Sequence, residues 1–345
     1  MNGRKIMNNI IKRIAQKAGV SIDTVLKVIN DDIDITPVEK KRVLDAINEL
    51  NYNPESLTGD LDKRKTNTIA IITAYLNSFS FYEVYLINGF EKQNMDLGRK
   101  YILNQYSTGG NQQRKKELLK AILSETLADG VISMFLKFEQ DDLNELKNKN
   151  IPVIFIDEEA EGFPSVKLNN FKGAYDAVKY LIDKGRKNIG LVVGQTSSEG
   201  VGITPIERFE GYKKALQDNK IPFNKENVIE IINYTFEEGE QSLRSFIERK
   251  IKLDAIFCAA GDMVALGIMD EAAKLNIDIP HDLALIGYDD INMASISKPG
   301  LTTIKQPIES IGRTALRILD SMIETGKIEQ SKIIFEPELV IRGTA

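Results

Sequence analysis

Cysteine and histidine are almost absent from this 345-residue chain, and their scarcity argues against several kinds of chemistry. Cys258 is the only cysteine, so no intramolecular disulfide and no thiolate metal site can form. His281 is the only histidine and lies in a predicted surface loop. No cluster has the spacing of metal ligands, and the glycines of 194–202 lack the lysine of a phosphate-binding loop. We therefore expect no metal, no cofactor and no catalytic activity.

Long apolar runs are also missing. No segment approaches the length of a membrane span. The first ten residues, MNGRKIMNNI, contain neither an apolar signal core nor a small-residue cleavage site. We expect a cytoplasmic protein without membrane contact.

A strong excess of charge of one sign is lacking as well, since 45 Lys and Arg stand against 50 Asp and Glu. The distribution is uneven, because residues 1–65 carry 12 basic and 10 acidic side chains while the remainder is acidic. A weakly basic N-terminal segment permits DNA binding but does not by itself indicate it.

Three short helices are predicted within residues 7–53, which we call the head. The first has an apolar stripe made of Ile10, Ile11, Ile14, Ala15 and Ala18. The second follows a corner at Gly19, with Ser21 as its predicted N-cap. The third begins at Thr36-Pro37, with Glu39 completing a capping box and an apolar stripe of Val43, Leu44, Ile47 and Leu50. This arrangement is typical of a helix-turn-helix DNA-binding unit.

The second of these helices has two distinct faces at helical spacing. Its apolar face consists of Val25, Val28 and Ile29, and its other face of Asp23, Leu26, Lys27 and Asn30. A helix that displays such a face after a tight turn is either a packing unit or a DNA-reading element.

The pattern changes after the head. Residues 54–66 contain a proline and many polar side chains and form a predicted linker. From 67 to 345, short apolar strands alternate with amphipathic helices, which is typical of parallel βαβ units. About eight strands predict two doubly wound parallel-sheet lobes with a cleft between them. We assign the first lobe to about 67–168 plus 308–335 and the second to about 169–306 plus 338–345.

Several motifs occur in a characteristic order. IAQKAGVSIDTVLKVIN is followed by RKTNTIAII, and then by RFEGYKKAL, DAIFCAAGDMVALG, LALIGYDD and PGLTTIKQP. This series resembles the lactose-repressor (LacI–GalR) family of bacterial transcription regulators over nearly the whole chain. The resemblance implies an all-α helix-turn-helix head followed by a periplasmic-binding-protein-like α/β effector domain. It also implies a double-stranded operator and a small-molecule effector as partners.

The resemblance places DNA contacts in the head and the linker. Ile22, Asp23 and Lys27 fall at groove-reading positions, and Thr24 matches a phosphate-contacting threonine. Leu26 and Lys27 stand where the family usually has serine and arginine. The complete predicted set is Ser21, Ile22, Asp23, Thr24, Lys27, Asn30, Tyr52 and Leu61.

Asp23 allows two interpretations. Its carboxylate can accept a hydrogen bond from cytosine N4 in the major groove. Alternatively, Asp23 and Lys27, at positions i and i+4, can pair with each other and contact no base. The sequence favours neither interpretation over the other.

In the cleft, the resemblance points to Arg208 and Asp289 as polar effector contacts, which suit sugar hydroxyls because these need both donors and acceptors. The alternatives are a solvated helix face for Arg208 and a structural cap for Asp289. Gly261 stands where asparagine is usual, and Asp262 is expected to cap the following helix. The complete predicted effector set is Tyr75, Phe79, Phe81, Asn169, Arg208, Gly261 and Asp289.

The neighbouring aromatic and amide side chains also have two interpretations each. The segment contains four aromatic residues, Tyr75, Phe79, Phe81 and Tyr82. The first three can stack on a sugar, and two of the four are expected to belong to the core. Asn169 and Asn170 either contact ligand or form a hinge hydrogen bond.

These observations predict a DNA-binding regulator, a repressor, that holds a sugar or sugar derivative between its lobes. Two heads on a two-fold axis would bind a palindromic operator, and the effector would change lobe closure. We expect a homodimer, because no tetramer-forming heptad follows LVIRGTA. A solute-binding protein without DNA function is disfavoured by the head, and an enzyme by the lack of a catalytic constellation.

The linker gives a first testable prediction. The resemblance implies that PESLTGDLD folds into a hinge helix on the operator and that Leu61 inserts into the minor groove. Gly59, Asp60 and Asp62 oppose this, because glycine costs about 1 kcal/mol in a helix and aspartates repel phosphates. We expect Leu61→Ala to weaken operator binding much more than binding to a random duplex in parallel titrations. An equal loss on both duplexes, or no loss, would exclude the wedge.

Overall fold

The computed structural model describes residues 11–29, 35–50, 66–74, 81–99, 101–125, 127–149, 151–197, 202–327 and 330–345. The chain divides into two compact units, Met1–Thr66 and Asn67–Ala345. Five predicted site residues lie outside the described residues, namely Asn30, Tyr52, Leu61, Tyr75 and Phe79.

The N-terminal unit contains α1 (11–18), α2 (Ile22–Ile29) and α3 (Pro37–Glu49) among its described residues. The Ser21 hydroxyl accepts a hydrogen bond from the Thr24 backbone N–H at 3.0 Å, which confirms the predicted cap of α2. At α3, the side chains of Thr36 and Glu39 form the predicted capping box. Both helix starts are therefore fixed locally.

The core of this unit joins all three helices and differs from the prediction at one position. The buried side chains are those of Ile11, Ile14, Ala15, Ala18, Val25, Val28, Val43, Ala46 and Ile47. Leu44 was predicted to be buried but is 38% exposed, and Ala46 takes its place. The reason is geometric: Val43, Ala46 and Ile47 are spaced i, i+3 and i+4, whereas Leu44 lies a quarter turn away. Leu26 packs partly against this core.

The first lobe of the second unit contains a six-stranded sheet in which every strand pair is parallel. Its strand order is β11-β5-β4-β3-β1-β2. The strands are β1 (Thr68–Thr73), β2 (Ile102–Ser107), β3 (Gly130–Met134), β4 (Val153–Ile156), β5 (Ser165–Leu168) and β11 (Lys332–Phe335). The helices are α4 (Phe81–Asp96), α5 (Gln112–Glu125), α6 (Gln140–Lys149) and α12 (Ile308–Thr325).

The second lobe repeats the plan, with the strand order β12-β10-β9-β8-β6-β7 and an antiparallel β12. Its strands are β6 (Ile189–Gly194), β7 (Val228–Ile231), β8 (Ala255–Cys258), β9 (Ala284–Asp289), β10 (Thr302–Lys305) and β12 (Glu338–Val340). The helices are α7 (Asn170–Asp183), α8 (Thr204–Asp218), α9 (Phe236–Glu248), α10 (Asp262–Lys274) and α11 (Asn292–Ile296). Lys225–Asn227 form a 3₁₀ turn.

The predicted fold class, a helical head with two parallel-sheet lobes, is confirmed. The eight predicted strands correspond to β1–β4 and β6–β9. The other four strands were not among the eight: β5, β10, β11 and β12 have three or four residues each and include polar or charged side chains, and β11 and β12 are partly exposed edge strands. Across the described ranges, no helix has the length and apolar character needed to cross a membrane.

The packing of α8 on α7 gives a prediction. Gly211 approaches α7 so closely that an added Cβ would lie 2.3 Å from the Phe171 carbonyl oxygen. A backbone atom cannot move aside, so Gly211→Ala is expected to lower the free energy of unfolding by about 1–3 kcal/mol in urea titrations. The control is Gly300→Ala, where the nearest atom to an added Cβ, Arg342 Cδ, is 3.4 Å away. Equal stabilities of the two variants would contradict this account.

Candidate functional site

Arg208 is the centre of a polar cluster at the carboxyl ends of the second lobe's strands. The side chain projects from α8 and is only 8% exposed. Its Nε donates to Asn170 Oδ1 at 2.9 Å, and its Nη1 donates to the Ala259 carbonyl at 2.7 Å. The guanidinium carbon lies 3.7 Å from the centroid of the Tyr288 ring. The alternative of a solvated helix face for Arg208 is therefore wrong.

The partners of Arg208 are neutral, and this matters for binding. Both acceptors are amide oxygens, and neither forms an ion pair with the guanidinium. Its Nη2 group takes part in neither bond, and this nitrogen keeps contact with solvent. An accessible N–H donor on a positively charged group is suited to bind an oxygen of a ligand.

Asp289 faces Arg208 from the end of β9. Its Oδ1 accepts a hydrogen bond from Gln306 Nε2 at 2.5 Å, and its carboxylate also accepts from the Asp262 backbone N–H. Burial raises the pKa of Asp289 to about 6, although the positive charge of Arg208 opposes the shift. The Asp289 carboxylate thus caps the start of α10, which is the structural role considered for it in the sequence analysis. It also interacts electrostatically with Arg208.

Gly261 lies directly before α10 with a φ of 105°, a backbone conformation that L side chains rarely adopt. A Cβ at this position would lie 2.9 Å from Asp289 Oδ2. Gly261 therefore leaves room for the Asp289 carboxylate and offers no side chain of its own to a ligand.

The predicted capping role of Asp262 is wrong. Gly261 holds the N-cap position, and Asp262 is the first residue of α10 and fully buried. Its Oδ2 accepts from the Ile291 backbone N–H at 3.0 Å and its Oδ1 accepts from the Thr303 hydroxyl at 2.6 Å. The side chain therefore ties α10 to strand β10 and to the start of α11. Burial, followed by the charge of Asp289, raises the pKa of Asp262.

The first lobe contributes a pair that the sequence did not reveal. The Tyr82 hydroxyl donates to Asp157 Oδ2 at 2.5 Å, and the Leu168 N–H donates to Asp157 Oδ1 at 3.2 Å. Burial raises the pKa of Asp157, which the nearby charge of Arg208 partly offsets. The signal in the sequence was an aspartate directly after the buried strand VIFI, where parallel sheets place ligand contacts.

The aromatic and amide residues considered as effector contacts occupy different structural positions. Tyr82 packs against the first lobe's core and stacks edge-on with Phe135 at 5.3 Å between ring centroids. Phe81 is half-buried at the first position of α4. Asn169 caps α7 by accepting from the Lys172 N–H, and its Nδ2 donates to Glu336 Oε1 at 3.2 Å. That contact joins two of the crossover segments, which is the hinge arrangement considered for Asn169.

The two lobes touch on one side of the cleft. Lys167, on β5 of the first lobe, lies 2.8 Å from Glu207 on α8 of the second and 2.8 Å from Glu159. The Ile203 N–H donates to Glu158 Oε2 at 3.3 Å. Glu207, which makes this contact between the lobes, is the neighbour of Arg208 in α8.

The candidate DNA interface lies on α2. Ile22 is 43% exposed, and the Ser21 and Thr24 hydroxyls are 2.8 Å apart. Lys27 Nζ lies 3.2 Å from Asp23 Oδ2, so the ion pair considered from the sequence is formed. Whether these residues contact bases stays a prediction.

The single cysteine and the single histidine lie in opposite environments. Cys258 is fully buried, and burial raises the pKa of its thiol. His281 is exposed and lies 2.9 Å from Asp278. Within the described ranges, no group of three or more His, Cys, Asp or Glu residues is arranged to hold a metal ion.

A helix-turn-helix head followed by a two-lobed domain with a polar cleft defines a ligand-responsive DNA-binding protein. Two family models match the chain: bacterial regulatory proteins of the lacI family over residues 10–55, and a periplasmic-binding-protein-like domain over residues 178–345.

Curated relatives match along nearly the whole chain. Catabolite control protein A of Priestia megaterium is 31% identical, and the alignment covers 94% of this chain and 96% of that protein. The HTH-type transcriptional regulator RegA of Clostridium acetobutylicum is 33% identical, with 97% and 98% covered. The chain belongs to the LacI family and is a DNA-binding transcriptional regulator.

The fold agrees with solved structures of such regulators. A transcriptional regulator CelR–cellobiose complex superposes with a TM-score of 0.72 at 24% identity, covering 97% of this chain and 99% of that chain. Likeness at this identity establishes the architecture of the head and of the two lobes.

Two adjacent asparagines provide a matched test of the Arg208 cluster. Asn170→Ala removes the acceptor for Arg208 Nε and for the Tyr288 hydroxyl, which lies 3.3 Å away. We expect a loss of about 1–3 kcal/mol in the free energy of unfolding, because a buried charged donor is left unpaired. Asn169→Ala removes only a helix cap and a hinge contact and is expected to cost about 1 kcal/mol. A larger loss for Asn169→Ala in urea titrations would contradict this assignment.

Proposed function

We propose that the chain is a homodimeric repressor that binds a palindromic operator through two heads and is controlled by a sugar or sugar derivative between its lobes. In this proposal residues 7–53 bind the major groove, 54–66 form the hinge, and 67–345 bind effector and dimerise. The protein works in the cytoplasm and has no catalytic role, in keeping with relatives that are transcriptional regulators.

One observation carries the choice of effector: a largely buried guanidinium, whose Nη2 is open to solvent, lies within electrostatic reach of carboxylates from both lobes. Arg208 and Asp289 belong to the second lobe and Asp157 to the first, and the charge of Arg208 acts on both carboxylates. A polyol satisfies this arrangement, because each hydroxyl both donates and accepts. A ligand that contacts both lobes at once stabilises their closure, which is the state change that repositions the heads.

The DNA function rests on the head. The exposed face of α2 presents Ile22, Asp23 and Lys27, while the opposite face is buried in the core. The hydroxyls of Ser21 and Thr24 lie at the start of the same helix, where phosphate oxygens are commonly bound. A solute-binding protein without DNA function would have no use for this unit.

Arg208→Ala tests the proposal. After a thermal-shift screen against carbohydrates has given an effector, we expect Arg208→Ala to lose the effector's influence on operator binding while operator affinity stays within a few-fold of the parent. The physical reason is that Arg208 lies in the effector unit and not in the head. The control is Arg249→Ala, an exposed arginine at the end of α9, which should respond as the parent does.

Two outcomes would count against the proposal. A normal effector response in Arg208→Ala would remove Arg208 from the site. Parent protein that binds no duplex from upstream of its own gene more tightly than a random duplex would remove operator binding itself.

A further inference from the structure

The exposed side of α2 contains a preformed pair of opposite charges. Lys27 Nζ lies 3.2 Å from Asp23 Oδ2, one helical turn apart, with side chains 44% and 75% exposed. Val25 and Val28, on the other side of α2, are buried in the core of the head. The pair therefore belongs to the outward face, beside Ile22, and not to the packing of the three helices.

The pair is chemically complementary to the edge of one base pair. An ionised carboxylate only accepts hydrogen bonds, and an ammonium group only donates them. In the major groove, cytosine presents the N4 donor beside the O6 and N7 acceptors of its guanine partner. Because N4 donates to O6 in the base pair, these two atoms lie about 3 Å apart. This separation matches the distance between Asp23 Oδ2 and Lys27 Nζ.

An A·T pair fits the same unit less well. Adenine also has a donor, N6, but its N7 acceptor lies directly beside it and would repel the carboxylate. On the thymine side, the ammonium would meet a single acceptor, O4, next to a methyl group. Cytosine has no acceptor beside N4 in the major groove, and guanine offers two acceptors to the ammonium. The donor–acceptor order therefore favours C·G.

We propose that Asp23 and Lys27 act as one unit that recognises a single C·G pair in each operator half-site. Asp23 accepts from cytosine N4, and Lys27 donates to guanine O6 or N7. This inference rests on the proposed operator binding and specifies its chemistry. It also unites the two interpretations of Asp23, because the ion pair itself is the recognition element. Lys27 offsets the repulsion between the Asp23 carboxylate and the phosphates.

Exchanging the two charges gives a directional test. The full-length parent and the double variant Asp23→Lys, Lys27→Asp are each used to select binding sites from a pool of random duplexes. The parent is expected to select one C·G pair in each half-site. The exchanged variant is expected to select the same operator with that pair inverted to G·C. It should bind the parent's operator more weakly than the parent does, by about 5- to 150-fold for each half-site.

A second variant covers the possibility that the exchanged pair destabilises α2. Asp23→Asn preserves the shape of the side chain, and an asparagine amide prefers adenine, where it bonds to N6 and N7. Selection with Asp23→Asn is therefore expected to replace the cytosine by adenine. Circular dichroism confirms that each variant keeps its helices.

The head also offers a matched control. Lys17 Nζ and Glu49 Oε2 form another exposed ion pair, 2.9 Å apart, between α1 and α3. Exchanging these charges, in Lys17→Glu with Glu49→Lys, should leave the selected sequence unchanged.

The outcomes separate the inference from the function on which it rests. A parent consensus that neither Asp23 variant alters, or one without C·G, overturns the inference and leaves operator binding intact. The absence of any consensus with the parent overturns both. Inversion of a single base pair by the exchanged variant, together with an unchanged consensus for the Lys17–Glu49 exchange, establishes the paired contact.

Discussion

The burial of one guanidinium group constrains the whole effector unit. Removing a charged group from water is costly unless oxygens and polarisable surfaces replace the lost hydration. For Arg208 these are supplied by Asn170 at the start of α7, by the carbonyl of Ala259 after β8, and by the ring of Tyr288 on β9. The start of α7 and the ends of two adjacent strands, β8 and β9, must therefore be in place before the side chain can be accommodated.

The three carboxylates near this guanidinium are also hydrogen-bonded. Asp157 receives a tyrosine hydroxyl and a backbone N–H, Asp262 a backbone N–H and a threonine hydroxyl, and Asp289 a glutamine amide. Burial raises the pKa of each of the three. Because Asp157 belongs to the other lobe, its electrostatic interaction with Arg208 depends on the separation of the lobes.

Local and periodic features of the sequence were sufficient to predict the architecture. The caps at Ser21 and Thr36 depend on residues three positions apart, and most of the eight predicted strands are apolar runs. The failures involve contacts between residues distant in the chain. Asp262 looked like a cap from its neighbours, but its partners are Ile291 and Thr303. Tyr82 and Asp157 are 75 positions apart, and no periodicity links them.

The crossing segments between the lobes have a consequence for how the protein is made. Helix α12 and strand β11 complete the first lobe, yet they follow nearly all of the second lobe in the chain. During vectorial synthesis on a ribosome, strand β5 remains an open edge and α4 lacks its main helical partner until those residues emerge. Open strand edges are sites of unwanted association. The lobe that is translated first is therefore among the last parts to be finished, and the nascent chain needs protection throughout that interval.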